Sequence, residues 1–227
     1  MARAGRIVTV YSVKEAYVTL QGEGAQTGRA AVFLRFAGCN LWSGREVDRA
    51  SAVCQFCDTD FVGTDGPGGG KFASPEALAA HVHEVWGVSS DEGNETRRGG
   101  VPYVICTGGE PLLQLDYAAI AALHAAGFEV GVETNGTLLA PDTLDWICVS
   151  PKADAVLKQR SGNELKLVYP QTLARPESFI GLDFDHFFLQ PMDSDKTAEN
   201  IAAAAAYCMK YPQWRLSLQT HKLIGLP

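Results

Sequence analysis

Apolar and polar residues alternate with a period of two early in the chain, which predicts two strands, Lys14 to Leu20 and Ala31 to Phe36, joined by the turn-like QGEGAQTGR. The glycine-rich TDGPGGGK lacks the spacing of a phosphate loop and reads as a flexible connection. Ser74-Pro75-Glu76 is an N-cap followed by proline at the first helical position, so a helix is expected to run to about Trp86, and the polar SSDEGNETRRGG after it reads as a surface loop. From residue 101 the pattern becomes regular. VPYVIC is a short apolar strand ending in TGGEP, and Leu112 to Ala126 follows as an Ala/Leu-rich helix. FEVGVET is a strand, Asp142 to Trp146 a short helical turn, and ICVSPK, Glu164 to Tyr169 and HFFLQPM are further strands before a helix from Thr197 to Lys210. WRLSLQTHK closes the series.

Strands that alternate with helices imply parallel β/α units with right-handed crossovers, hence an α/β wound sheet or barrel. About six mainly parallel strands are too few for a full eight-unit barrel, so an open, partial barrel is expected. No repeat or linker divides the chain, and residues 1–227 read as a single domain. The predicted strands end in QGEG, AGC, TGGEP, ETNG, SPK, QPMD and QTHK, polar or glycine-bearing sequences that follow apolar runs. In parallel folds that asymmetry gathers one site at one rim.

Charge narrows the partners. A net charge of -7 without a basic block argues against a nucleic-acid surface and for a small-molecule partner. No apolar run is long enough to span a bilayer, and the first twenty residues lack the apolar core of a secretion signal, so no membrane partner and a cytoplasmic location are expected. In a reducing compartment, clustered cysteines serve as metal ligands or catalysts rather than disulfides.

Three of the six cysteines lie in CNLWSGREVDRASAVCQFCDTD, with fourteen residues between Cys39 and Cys54 and two between Cys54 and Cys57. Three thiolates leave a tetrahedral metal or cluster site one protein ligand short, as in a [4Fe-4S] cluster with one iron open to an external ligand. Alternatives are a structural zinc completed by a histidine such as His81 or His83, and a redox CxxC. Cys106, Cys148 and Cys208 lie in apolar segments and read as buried thiols.

With Phe56 between the last two cysteines and TGGEP at Thr107 to Pro111, the chain resembles the radical S-adenosylmethionine enzymes, although the usual first spacing is three residues rather than fourteen. Within that superfamily LQGEG, FLRFAGCNLW, CDT, TGGEP, ETNG, SPK, QPMD and QTHK, in this order, are similar to the 7-carboxy-7-deazaguanine synthase family of the queuosine pathway. The resemblance implies a partial barrel of the radical S-adenosylmethionine type with a cluster loop at 38–60 and a C-terminal tail, 219–227, closing the pocket. It implies a lyase that turns 6-carboxy-5,6,7,8-tetrahydropterin into 7-carboxy-7-deazaguanine with loss of ammonia, by a 5′-deoxyadenosyl radical and ring contraction.

The implied cofactors are a [4Fe-4S] cluster on Cys39, Cys54 and Cys57, S-adenosylmethionine, and Mg²⁺ on Thr59, a residue that would otherwise pass for a helix N-cap. S-adenosylmethionine is expected at Phe56, Asp58, Gly109, Glu110, Ser150, Pro151, Lys152, Gln190, Pro191, Met192 and Asp193. In that assignment Glu110 offers an acceptor to an ammonium group. The pterin is expected at Leu20, Gln21, Gly22, Glu23, Arg35, Thr107, His221 and Pro227, with Arg35 on its carboxylate and Glu23 on its amine edge. The plainer alternatives are a solvated turn for Glu23, an ion pair for Arg35 and a packed histidine for His221. A flavodoxin or ferredoxin reductant and a homodimer complete the expectation. Competing functions are an activase acting on a protein partner and a non-catalytic iron–sulfur or zinc module.

Overall fold

The computed structural model describes residues 10–88 and 100–227. Residues 1–9 and nearly all of the expected polar loop after Val88 lie outside the described residues. Strands β1 (Tyr11–Leu20), β2 (Ala30–Phe36), β3 (Gly70–Phe72), β4 (Tyr103–Gly108), β5 (Glu129–Thr134), β6 (Trp146–Val149), β7 (Ser161–Tyr169), β8 (Asp183–Pro191) and β9 (Trp214–Leu216) form one sheet. Its order is β3-β1-β2-β4-β5-β6-β7-β8-β9. From β2 to β9 every neighbouring pair is parallel, and β1 and β3 pair antiparallel at one edge. The sheet is open at both edges, the partial barrel expected. Among the described residues it has nine strands: the six mainly parallel ones expected from VPYVIC to WRLSLQTHK, the two early strands, and β3, a three-residue edge strand too short to leave a periodic signal.

Helices α1 (Pro75–Val88), α2 (Tyr117–Ala125) and α3 (Thr197–Lys210) cross between parallel strands, and α4 (Thr220–Leu223) lies near the end of the chain. The expected helix from Leu112 to Ala126 is divided into a 3-10 turn, Pro111–Leu113, and α2. Asp116 separates them by capping α2, its Oδ1 accepting from the Ala119 N–H at 2.9 Å. Residues 142–146 make a turn and the first residue of β6 instead of a helical turn. The glycine-rich loop before β3 is packed rather than free: Ala16 N–H donates to Pro67 O at 2.8 Å and Gly66 N–H to Lys14 O at 3.0 Å.

Alternation along the strands sorts residues between the two faces of the curved sheet. Val32, Leu34, Phe36, Val104, Cys106, Val130 and Val132 point outward and pack with Leu78, Val82, Ile120 and Leu123 of α1 and α2. Val149, Leu165, Leu167 and Leu189 form a second core with Ala204 of α3 and Trp214. Burying these side chains contributes about 1.5–3 kcal/mol each against the entropy of ordering the chain.

Strand β1 would break the rule without a register shift between Val13 and Glu15. Tyr11, Val13 and Ala16 are in the outer core, whereas Glu15 and Tyr17 face inward. A bulge of this kind re-aims side chains by one step of the pleat. Here it sets Glu15 directly opposite Arg35 on the concave side.

Candidate active site

The concave face and the carboxyl ends of the strands enclose a cavity of about 490 Å³. Cys39, Cys54 and Cys57 line it from the loop after β2, with Leu41, Trp42 and Phe61 behind them. The 3-10 turn Glu46–Ser51 accommodates much of the long first spacing as an excursion whose charges pair internally, Arg45 with Asp48 and Arg49 with Glu46, each at 2.8 Å. Arg49 also stacks over Trp42 and donates to the carbonyls of Gln55 and Cys57, so the excursion ties back to the last cysteine pair.

A hydrogen bond from Cys54 brings the Cys57 thiol down to about 6 against the effect of burial, while Cys54 itself is pushed up by the same contact and by burial. Burial also raises Cys39. An ionised Cys57 and two neighbouring thiols that lose protons on metal binding are a donor set that fits an iron–sulfur cluster. His81 and His83 do not line this cavity; His81 Nε2 lies 2.7 Å from the Gly68 carbonyl on the far side of β1. Neither histidine therefore completes a zinc site with the three cysteines there.

The cysteine loop rests on the end of β4. A Cβ on Gly109 would stand 2.6 Å from the Gly38 carbonyl carbon and 2.8 Å from Cys39 Cβ, so only glycine lets the two backbones meet. Glu110 N–H donates to Gly38 O at 2.9 Å in the same contact. The Glu110 side chain turns into the protein and is fully buried. Its carboxylate accepts from Leu112 N–H at 3.0 Å, Thr134 Oγ1 at 2.8 Å and Asn135 N–H at 2.8 Å, fastening β4 to β5. Burial raises its pKa against those hydrogen bonds.

Around the rest of the cavity, Gln21, Glu23, Arg35, Phe56, Asp58, Thr59, Thr107, Gly109, Ser150, Lys152, Gln190, Pro191, Met192, Asp193, His221 and Pro227 all line the wall. Leu20, Gly22, Glu110 and Pro151 are not among the lining residues. Arg35 Nε donates to Glu15 at 2.7 Å, and its Nη2 lies 3.4 Å from the Tyr17 hydroxyl, which fixes the plane of the guanidinium. Thr59 lies in a loop with no helix after it, which removes the N-cap reading. Ser150 accepts from Lys152 Nζ at the end of β6.

Helix α4 closes one side. Thr220 donates to the Gly22 carbonyl from both N–H and Oγ1, at 2.9 Å each, and the His221 ring packs against Gly22. Burial lowers the His221 pKa against the pull of Glu23. Lys222 pairs with Asp58 of the cluster loop and Asp193 after β8, so one lysine joins both rims. Thr19 Oγ1 donates to the Pro227 oxygen at 3.1 Å, docking the tail.

Sequence reasoning missed several lining residues. Glu133, Lys166, Asn135, Gln219 and Lys222 all face the cavity. Lys166 joins Glu23 at 2.7 Å and Glu133 at 2.8 Å. A signal for it existed: Glu164, Lys166 and Val168 alternate with the core residues Leu165 and Leu167, placing a lysine on an interior face.

Known proteins share this architecture. The family model described as the radical SAM superfamily matches residues 50–148. A 7-carboxy-7-deazaguanine synthase from Caulobacter vibrioides is 64% identical over 96% of this chain and 99% of its own length. One from Bradyrhizobium diazoefficiens is 62% identical over 95% and 99%. The crystal structure of QueE from Escherichia coli superposes with a TM-score of 0.64 at 26% identity, covering 92% of this chain and 93% of that one. With three thiols at the rim of an open β/α barrel and relatives this similar along nearly their whole length, the chain belongs to the 7-carboxy-7-deazaguanine synthase family of radical S-adenosylmethionine enzymes.

Proposed function

We propose that this single domain converts 6-carboxy-5,6,7,8-tetrahydropterin into 7-carboxy-7-deazaguanine with loss of ammonia, using a [4Fe-4S] cluster, S-adenosylmethionine and Mg²⁺. The observation that carries the reading is the cavity itself: three thiols on one wall face a polar wall built from Glu23, Arg35 and Thr107. When bound, the cluster and S-adenosylmethionine supply an electron and a carbon radical able to remove a hydrogen atom. The chain supplies position and shelter.

Cys39, Cys54 and Cys57 hold the cluster. Phe56, Asp58, Gly109, Ser150, Lys152 and Gln190 to Asp193 border the space for S-adenosylmethionine, and Thr59 offers a hydroxyl to Mg²⁺, an ion that keeps most of its ligands from substrate and water. Arg35, oriented through Nε by Glu15, presents its outer nitrogens to the substrate carboxylate. Glu23 stays ionised, its carboxyl held down at about 2: burial opposes this, but Lys166 and hydrogen bonds from Lys166, Gln190 and Gln219 outweigh it. An ionised Glu23 is an acceptor for an amine edge. Gln21, Thr107, His221 and Pro227 complete that side, and α4 excludes water. We propose Glu110 and Pro151 as further contacts to S-adenosylmethionine and Leu20 and Gly22 as further contacts to the pterin, set at the margin of the cavity lining.

The reductant we propose is a flavodoxin or ferredoxin, and the assembly a homodimer. Among the described residues no helix is long and apolar enough to cross a membrane. A cavity of this size, with charged and polar side chains among its lining, favours a small molecule over a protein substrate for an activase. Anaerobic reconstitution followed by incubation with the pterin, Mg²⁺, S-adenosylmethionine and a reductant tests the reading. The expected result is about four irons per chain and a deazaguanine product by mass, with S-adenosylmethionine not consumed in proportion. A colourless zinc protein, or iron-loaded protein without product, overturns it.

A further inference from the structure

We propose that Lys166 is a positioning residue that holds Glu23 and Glu133 together as a paired acceptor for the donor edge of the substrate. The inference rests on the pterin reading above and adds to it the device that makes the pocket selective for hydrogen-bond donors.

The geometry is reciprocal. Lys166 Nζ lies 2.7 Å from Glu23 Oε2 and 2.8 Å from Glu133 Oε2. The other oxygen of Glu23 accepts from Gln219 Nε2 at 3.0 Å, and that of Glu133 from Gln21 Nε2 at 3.1 Å. Two carboxylates from different elements are thereby fixed by one cation and two amides, and all five side chains line the cavity. The lysine side chain is only 5% exposed, too buried to be a solvated surface charge. A lysine buried to that degree requires paired charges.

Every element packed around it contributes. Glu23 and Gln21 come from the turn after β1, Glu133 from β5, Cys148 from β6, Glu164 from β7 itself, Gln190 from β8 and His221 from α4. Glu164 is engaged elsewhere, accepting from the Ala25 N–H at 2.8 Å. Burial raises its pKa, while Lys166 opposes the rise. Burial works against the charge on Lys166 too, but Cys148, Glu133, Glu23 and Glu164 hold that charge in place. Without the cation, burial is the largest influence left on Glu23, and it favours the protonated form. A protonated carboxyl that faces a substrate N–H loses an acceptor and sets donor against donor.

Calorimetric titration of the pterin into the reconstituted, unreduced enzyme between pH 6 and 8.5 tests this. Wild type should bind with a nearly flat pH profile across that range. Lys166→Met should weaken pterin binding by about tenfold or more at the acid end and recover as the pH rises and the carboxylates ionise, with S-adenosylmethionine affinity within about twofold of wild type. Lys166→Met/Glu23→Gln, which removes one charge of each sign, guards against a single variant that fails to fold; it should bind the pterin weakly at every pH, with a shallower pH dependence than Lys166→Met because only Glu133 is left to ionise. Pterin affinity within about twofold of wild type at every pH in either variant, or an equal loss for both ligands, overturns the inference. A wild type that does not take the pterin overturns the functional reading and this inference with it. A wild type that binds beside an unperturbed Lys166→Met overturns the inference alone.

Discussion

Gly109→Ala isolates the contact between the end of β4 and the cysteine loop. The added Cβ would meet Gly38 and Cys39 well inside 3.0 Å, the limit real Cβ contacts observe, and the obstacle is backbone that cannot rotate aside. To regain van der Waals separation, the Gly38 carbonyl must retreat by about 1 Å in an interior packed like a crystal. Overpacking of this kind costs about 1–3 kcal/mol. The Gly38 oxygen also accepts from Glu110 N–H, and weakening that bond adds about 0.5–1.5 kcal/mol. A total of about 2–4 kcal/mol lowers the melting temperature of a chain this long by roughly 5–15 °C. Cys39 follows the carbonyl, so iron bound per chain after anaerobic reconstitution should fall to about half or less, because the cluster tolerates little ligand displacement. Gly181→Ala is the control: among the described residues its Cβ meets nothing within 4 Å, and stability should hold or rise by up to about 1 kcal/mol. A Gly109→Ala protein that melts within about 2 °C of wild type and takes up full iron would refute the reasoning.

Other sites make separable predictions. Leu165→Ala opens a void in the outer core between β7 and α3 and should lower stability by about 2–5 kcal/mol, read as a shifted urea midpoint at constant slope. Lys222→Met releases Asp58 and Asp193; the lysine side chain is 44% exposed, so stability should change by less than about 1 kcal/mol. Affinity for S-adenosylmethionine should still fall about three- to tenfold and lose part of its salt dependence, which titration at low and high ionic strength measures. Glu23 has its pKa lowered from 4.5 to about 2, so its contribution to stability is complete above 4.5 and disappears as the pH falls toward 2. Urea midpoints of cluster-free wild type should therefore decline more steeply across that window than those of Glu23→Gln; parallel curves would remove Glu23 from the acid response.

Much of the architecture was legible because its signals are local. Ser74-Pro75 starts α1 at Pro75, Thr197 to Lys210 is helical as its pattern indicates, and the polar strand ends Thr107, Ser150 and Gln190 do meet at one rim. Cysteine spacing and short motifs identified the family for the same reason, since ligand chemistry dictates residue type along a short stretch. Asp116 was also local evidence, a cap hidden inside an apolar run.

Other features depended on what lies across the sheet. From sequence Glu110 reads only as an acceptor for a ligand; that Thr134 and the Asn135 N–H also reach its oxygens depends on how β5 lies beside β4. The bulge near Lys14 reverses which residues of β1 face inward, and alternation cannot reveal a one-residue slip. Lys166 and Glu133 are 33 positions apart in sequence, and Glu23 is farther still. The sequence by itself determined the cluster of three cysteines, the strand-and-helix rhythm and the polar ends; the tertiary structure decided which charges meet. The reason is electrostatic: a lysine on an interior strand face is tolerable only beside carboxylates, and the curvature and register of the sheet alone determine which carboxylates reach it.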